Sequence, residues 1–258
     1  ALAYMDDMLI PSLTIEKGLD ALEQVLVRLK RSGLTLRLSK CYFFKTRIEY
    51  LGHEIGNGCI RPGTSKIQAV AEFPIPTNIH ETRQFRGLCS YFRKYVHKFA
   101  LIAEPITKLL KKNIQFLWTD EQSRAFETLK AKLTQRPLLA IYQADLETEV
   151  HTDASKKGLG GILLQRQKDG TLRPVLYFSR QTTGQEQQYH SYELETLAVV
   201  NSLQMFRIYL LGIQFKVVTD CNALRTTLTK RDLIPRIGRW WMITQEFDFT
   251  IEYRPGVK

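Results

Sequence analysis

The chain is poor in the residues that staple or anchor a protein. Its four cysteines (Cys41, Cys59, Cys89, Cys221) show no CxxC spacing and no local histidine partner. That excludes a zinc module and reads as free thiols in a reducing compartment. No apolar run approaches the ~20 residues of a membrane span, so no membrane partner is expected, and no secretory leader is recognised at the start. Internal repeats and low-complexity segments are absent too. Acidic side chains are outnumbered, 26 against 37 basic, for a net charge of +11. The shortfall is uneven: residues 1–136 carry 22 Lys/Arg against 13 Asp/Glu, residues 137–258 carry 15 against 13. A polyanion running over the first half is one reading of this asymmetry; plain solubility is the other. Core-forming residues are plentiful, with 44% hydrophobic and 10% aromatic residues over 258 positions. That is enough for roughly two ordinary domains and excludes disorder.

The acids that remain are arranged suggestively. Leu146, Thr148, Val150 and Thr152 alternate with Glu147, Glu149 and His151 in a strand pattern that ends on Asp153 before a turn. Asp220 ends the next strong strand, and Glu195 lies on the long helix between them. An ionised carboxylate at a strand end needs water, a partner or a metal. Each acid alone is an ordinary surface group. Three from two strands and a helix make a hard-oxygen site of the kind that takes Mg²⁺.

Three regions follow from the order of local signals: 1–76, 77–136 and 137–258. In the first, strand-forming flanks around Asp6-Asp7 read as a hairpin with the acids at its tip. A helix carries Leu19, Leu22, Val25, Leu26 and Leu29 and stops at Gly33; residues 34–55 read as extended, with strand cores at Tyr42-Phe43-Phe44 and Ile48–Leu51. Pro74 and Pro76 mark a hinge. The second region reads as helical to about Leu133, with Thr77, Asn78 and Thr119 as helix caps. There Arg83, Arg86, Arg93, Lys94 and Lys98 interleave with Tyr91, Phe92, Tyr95 and Phe99. A nucleic-acid path and an ordinary helix with a solvated basic face are both compatible with that mix. The third region reads as strands at 146–153, 160–166 and 172–178, a helix over 186–211, a strand at 215–219, helices at 221–229 and 235–246, and a strand at 248–253. Lys168–Thr171 is a hairpin turn. This is an α/β, more broadly α+β multidomain, chain whose last region holds a mixed five-stranded sheet flanked by helices.

The residues also carry a family resemblance. Tyr4-Met5-Asp6-Asp7 resembles the active-site hairpin of reverse transcriptases. Glu49-Tyr-Leu-Gly-His53 and Phe85–Arg93 resemble the segments that follow it in gypsy-type LTR retrotransposon polyproteins, as do Phe116–Thr119, Ala125–Lys130 and Pro137-Leu-Leu. Thr152–Ser155, Tyr192–Val200, Phe206–Gly212 and Val218-Thr-Asp220 resemble the ribonuclease H domain joined to such polymerases. The series runs in order from Tyr4 to Gly256.

The resemblance implies the end of a polymerase palm, a basic helical thumb or connection, and a ribonuclease H-like domain. It implies two Mg²⁺ ions per active site, with Mn²⁺ an alternative. Asp6 and Asp7 would serve the polymerase site, and Asp153, Glu195 and Asp220 the nuclease site, with Asp153 bridging. Glu193 is a rival for the helix position; Ala198-Val199-Val200 after Glu195 fits the family pattern, so Glu193 is expected to face solvent. Gly52, His53, Arg86, Tyr91, Arg93 and Lys94 are the candidate nucleic-acid contacts. The implied partners are an RNA–DNA hybrid, a template–primer and, for a longer parent, deoxynucleoside triphosphates. The implied setting is intracellular, in a cytoplasmic virus-like particle or the nucleus. Two departures are expected to matter. An earlier aspartate and the nucleotide-holding fingers are not in this stretch, and neither is a fourth nuclease acid after Arg254-Pro255-Gly256. Both ends read as cut, so the chain is expected to be a piece of something longer. A nucleic-acid-binding remnant without catalysis and a purely structural domain are the competing readings. His151 is expected to be a solvated strand histidine, His190 a surface residue at a helix start, the Cys221 thiol passive, and Trp240-Trp241 packing residues rather than a base-stacking platform.

Overall fold

The structure is a computed structural model and describes residues 1–225 and 234–255. Strands β1 (Leu2–Tyr4) and β2 (Asp7–Leu9) form the expected hairpin, in the register Leu2↔Leu9 and Tyr4↔Asp7. Helix α1 (Ile15–Arg31) starts where the Thr14 hydroxyl accepts from the Lys17 N–H, but it buries none of its residues. Neither the hairpin nor α1 has a substantial packing partner among the described residues. The strand expected at Tyr42–Phe44 does not form. These aromatics sit exposed in a loop, Phe44 with φ 52°. Strand-forming residue types need a paired neighbour and a surface to cover, and here they have neither. The expected strand at Ile48–Leu51 is β3 (Arg47–Tyr50), followed by β4 (His53–Gly56) and β5 (Cys59–Pro62) in an antiparallel meander. Leu51 and Gly52 both take positive φ, 48° and 68°, as the tight two-residue hairpin turn demands.

Five helices follow: α2 (Thr64–Ala71), α3 (Ile79–Tyr91), α4 (Phe99–Ile102), α5 (Glu104–Lys108) and α6 (Asp120–Thr134). Helix α2 escaped the sequence pattern because its buried side is only Ile67 and Val70. The caps are as read. Asn78 accepts from the Glu81 N–H at 2.9 Å, and Thr119 with Gln122 closes a capping box on α6. Between α3 and α6 the helicity is broken, not continuous. Lys98 and Asn113 take left-handed φ, 55° and 62°, and residues 114–119 are irregular. The core joins Ile67, Val70, Phe85, Phe92, Tyr95, Phe126 and Leu133. It also holds Leu139 of β6 (Leu139–Ala140), which pairs with β5 as the fourth strand of that sheet.

The last region is built on β7 (Thr148–Ser155), β8 (Gly158–Arg166) and β9 (Leu172–Gln181). Helices α7 (Ser191–Met205) and α8 (Arg207–Leu210) come next, then β10 (Gln214–Thr219), α9 (Asn222–Arg225), α10 (Pro235–Thr244) and β11 (Asp248–Tyr253). Strand order is β11-β10-β7-β8-β9; β7, β8 and β9 are antiparallel, and β10 and β11 run parallel to β7. This is the mixed five-stranded sheet expected. The expected 186–211 helix starts later, at Ser191, and breaks at Phe206. Of the helix expected at 221–229, residues 226–229 lie outside the described residues, as does Gly256 of the Arg-Pro-Gly motif. Val150, Leu163, Val199, Leu203, Val217, Ile237 and Trp241 fill the core on the α7 side of the sheet. Trp240 packs near Tyr189, so both tryptophans are packing residues. No described helix is long and apolar enough to cross a membrane.

Candidate functional site

Glu195 is the pivot. It lies on the inward side of α7, 9% exposed, and the Ala154 backbone N–H donates to it. Burial, then repulsion from Asp220 and Asp153, pushes its pKa up to about 8. Its Oε2 is buried with no hydrogen-bond partner. So Asp153 and Asp220, distant in sequence, each lie within electrostatic reach of Glu195. Asp220 follows the last residue of β10 and is exposed. Asp153 is near the end of β7. Val150 and Ala154 pack toward α7, so strand alternation puts Asp153, with His151 and Glu149, on the other face.

Asp153 is ion-paired. Its Oδ2 accepts from Nζ of Lys98 at 2.6 Å, both side chains being about half exposed. A cavity of about 160 Å³ adjoins the pair, lined by Lys98, Leu101, Asp153, Ser155, Gly160 and Ser179 among others. Hard oxygen donors, an orphaned buried oxygen and mutual repulsion suit a divalent cation. Among the described residues, however, no three His, Cys, Asp or Glu side chains draw together into a closed metal cluster. Lys98 supplies the positive charge at Asp153 instead.

Glu193 does not face solvent as expected. Its Oε2 accepts from the His190 N–H at 3.1 Å, and its Oε1 accepts from Arg236 at 2.9 Å. It caps α7 and ties it to α10. His190 is the N-cap of that helix. His151 is not a solvated histidine either: Nε2 lies 2.7 Å from Glu149, a carboxylate with no exposed surface that also meets Arg166 and Arg254. Burial alone would raise the Glu149 pKa, but hydrogen bonds from His151 and Arg254 bring it below the ordinary carboxylate range. Alternation placed Glu149 on the polar side of β7; only the folded chain shows that side covered by arginines. Burial raises the Cys221 thiol, which keeps it passive.

The remaining candidates divide into two groups. Asp6 and Asp7 sit at the exposed tip of the first hairpin, Met5 beside them with φ 52°. Gly52, His53, Tyr91 and Lys94 come together where the β3–β4 turn meets the end of α3. Tyr91 donates to the Leu51 carbonyl at 2.6 Å, and its ring stacks on His53 at 5.3 Å. A Cβ on Gly52 would come within 3.7 Å of Tyr91, and its φ of 68° favours glycine. Burial and the Lys94 ammonium lower His53 to about 4, so it acts as a neutral ring. Arg86 hydrogen-bonds Thr107 at 3.3 Å. Arg93 points elsewhere: it donates to the Ser179 carbonyl on β9 and lies over Phe99 at 5.8 Å. Lys98 and Ser179 were not foreseen as partners of the site, and nothing in local pattern signals a contact between segments so far apart.

Comparison with known proteins places these observations. Residues 1–55 match the family described as reverse transcriptase (RNA-dependent DNA polymerase), and residues 118–217 match the RNase H-like domain found in reverse transcriptase. The Pol polyprotein of transposon 297 from Drosophila melanogaster is 34% identical over 256 residues, 99% of this chain and 24% of that protein. The transposon Tf2-3 polyprotein from Schizosaccharomyces pombe is 33% identical over 257 residues, 98% of this chain and 19% of that protein. The chain thus spans about a quarter or less of these relatives. A foamy viral protease-reverse transcriptase (dRH) solved with double-stranded DNA superposes with a TM-score of 0.80 at 20% identity, over 96% of this chain and 44% of that one. A second, solved with an RNA/DNA hybrid, gives 0.79 at 21%, over 96% and 34%. At these identities the likeness is one of fold. With a reverse transcriptase match at one end, an RNase H-like match toward the other and transposon relatives along nearly its whole length, the chain carries reverse transcriptase and RNase H-like domains of the kind joined in transposon Pol polyproteins.

Proposed function

We propose that Asp153, Glu195 and Asp220 form a site that hydrolyses the RNA strand of an RNA–DNA hybrid with divalent metal. The observation that carries this is Glu195: a buried carboxylate, repelled by two others, with one oxygen unpartnered. A protein core does not retain such a group for stability. Asp153 and Asp220 would hold the metal from the strand ends and Glu195 from the helix. Bound Mg²⁺ would supply an activated water and neutralise charge on the leaving oxygen. The chain's own part is to hold these oxygens on rigid elements and keep Glu195 away from bulk water. A hybrid is the substrate class favoured by the basic helical region and by the RNA/DNA hybrid in one related fold.

Asp6 and Asp7 would serve nucleotide incorporation on a template–primer, with deoxynucleoside triphosphate as co-substrate. The hairpin has no substantial packing partner among the described residues, which supports the view that this chain alone does not polymerise. We take an intracellular particle or the nucleus as the setting, as the family resemblance implies.

A second reading is binding without cleavage. It is favoured by Lys98 on Asp153 and by the absence of a closed acidic cluster among the described residues. Hybrid cleavage in Mg²⁺, run beside binding as a function of salt, separates the two. Cleavage lost on Asp153→Asn supports the nuclease; salt-sensitive binding with no cleavage selects the second reading.

A further inference from the structure

Residues 93–101 are fastened to the nuclease sheet at its edge strand. The Ala100 N–H donates to the Ser179 hydroxyl at 2.9 Å, and Gln181 donates to the Ala100 carbonyl at 3.3 Å. Arg93 reaches the Ser179 carbonyl, and Leu101 closes over Gly158, where an added Cβ would come within 2.8 Å of it. These contacts set the backbone of Lys98. It adopts a left-handed conformation, φ 55°, that a long side chain rarely takes, and from there its ammonium reaches Asp153. The neighbouring His97 packs at a tilt against Tyr177, ring centroids 5.7 Å apart. Burial, then the Lys98 ammonium, lowers the His97 pKa, so the charge at Asp153 comes from Lys98.

We propose that Lys98 is a positioning residue: through the docking of α4 on β9 it occupies Asp153 when metal is absent and competes with the divalent ion for that carboxylate. The inference rests on the nuclease reading of Asp153. Metal entry must break the Lys98–Asp153 pair, so the helical region tunes how readily the nuclease site loads. Both side chains are about half exposed, so the competition is modest, about two- to five-fold in apparent metal affinity.

Calorimetric titration of the whole chain with Mn²⁺, without nucleic acid, tests this. Lys98→Gln is expected to bind about two- to five-fold more tightly than the unaltered chain, and Lys98→Arg to stay near it, the charge being kept. Asp153→Asn should weaken binding and cancel the effect of Lys98→Gln. Equal or weaker binding by Lys98→Gln, with Asp153→Asn still weakening it, overturns the proposal and leaves the nuclease reading standing. Mn²⁺ binding that ignores Asp153→Asn, or is absent in every variant, overturns both. Lys98 is exposed, so thermal unfolding of the variants should match the unaltered chain and serves as the folding control.

Discussion

Glu193 accepts a hydrogen bond from Nη1 of Arg236 at 2.9 Å, which joins the first turn of α7 to α10. Two residues on, Glu195 has a buried oxygen with no partner. The two acids therefore answer differently to the same substitution. Glu193→Gln should cost about 1 kcal/mol of stability through the lost cap and ion pair, with cleavage kept. Glu195→Gln should abolish Mg²⁺-dependent hybrid cleavage. It should also stabilise the metal-free fold at alkaline pH, by about 1–2 kcal/mol, because a crowded charge is removed. Urea unfolding and a hybrid-cleavage assay read both; the reverse pattern assigns the helix position to Glu193.

Docking of α4 depends on a missing side chain. At Gly158 a Cβ would stand 2.8 Å from Leu101 and 2.9 Å from the Arg180 carbonyl. Gly158→Val should cost about 2–3 kcal/mol and loosen residues 93–101 from the sheet. Limited proteolysis should then cut this segment faster; unchanged protection would mean the edge holds without the close approach.

His53 gives the chain a pH dependence. Its folded pKa of about 4 lies below the ordinary 6.5, because of burial and then the nearby Lys94 charge. Between these values the unfolded chain binds a proton that the folded chain refuses. Stability should fall as pH drops from 6.5 to 4 and be flat in this respect above 6.5. Allowing for partial solvent contact, the loss is about 1 kcal/mol. His53→Asn, which keeps a group able to bond Tyr95, should flatten that slope in pH-resolved denaturation.

Two arginines of the basic region should part company. Arg86→Gln should weaken hybrid binding and lower the salt slope by about one. Arg93→Gln should leave the slope nearly unchanged, because that guanidinium is engaged with Ser179 and Phe99, and should instead lower the melting temperature. Affinity measured over a salt series distinguishes the two roles; equal slopes for both variants would contradict it.

Breaking the Glu149 network should be costly. This carboxylate has no exposed surface and meets His151, Arg166 and Arg254. Glu149→Gln keeps a hydrogen-bonding group in the buried position but removes the charge that His151, Arg166 and Arg254, all partly exposed, share, and should cost about 1–2 kcal/mol. Chemical denaturation checks it; a near-neutral effect would mean the charge on Glu149 adds nothing beyond its hydrogen bonds.

Much of the candidate site was legible along the chain. Alternation into Asp153, the Val-Thr-Asp220 strand end and the Ala198 spacing after Glu195 singled out three acids, and in the fold Asp153 and Asp220 each bear on the Glu195 carboxylate. The capping signals at Asn78 and Thr119, the Lys168–Thr171 turn and the five strands of the last sheet were legible for the same reason: each depends on residues a few positions apart. Tyr42–Phe44 misled because strand propensity is a statement about a surface to pack on, and that surface is not in the local sequence. What lay beyond local pattern is a set of contacts between distant segments: Lys98 on Asp153, Arg93 on Ser179, and Arg254 over Glu149. Each arises only when one element docks on another, since a charge carries no mark of its partner until packing brings the two within a few ångströms. Residue order thus pointed to the family and to candidate acids, while docking decided which of those acids is held by a neighbour and which is left with a bare oxygen.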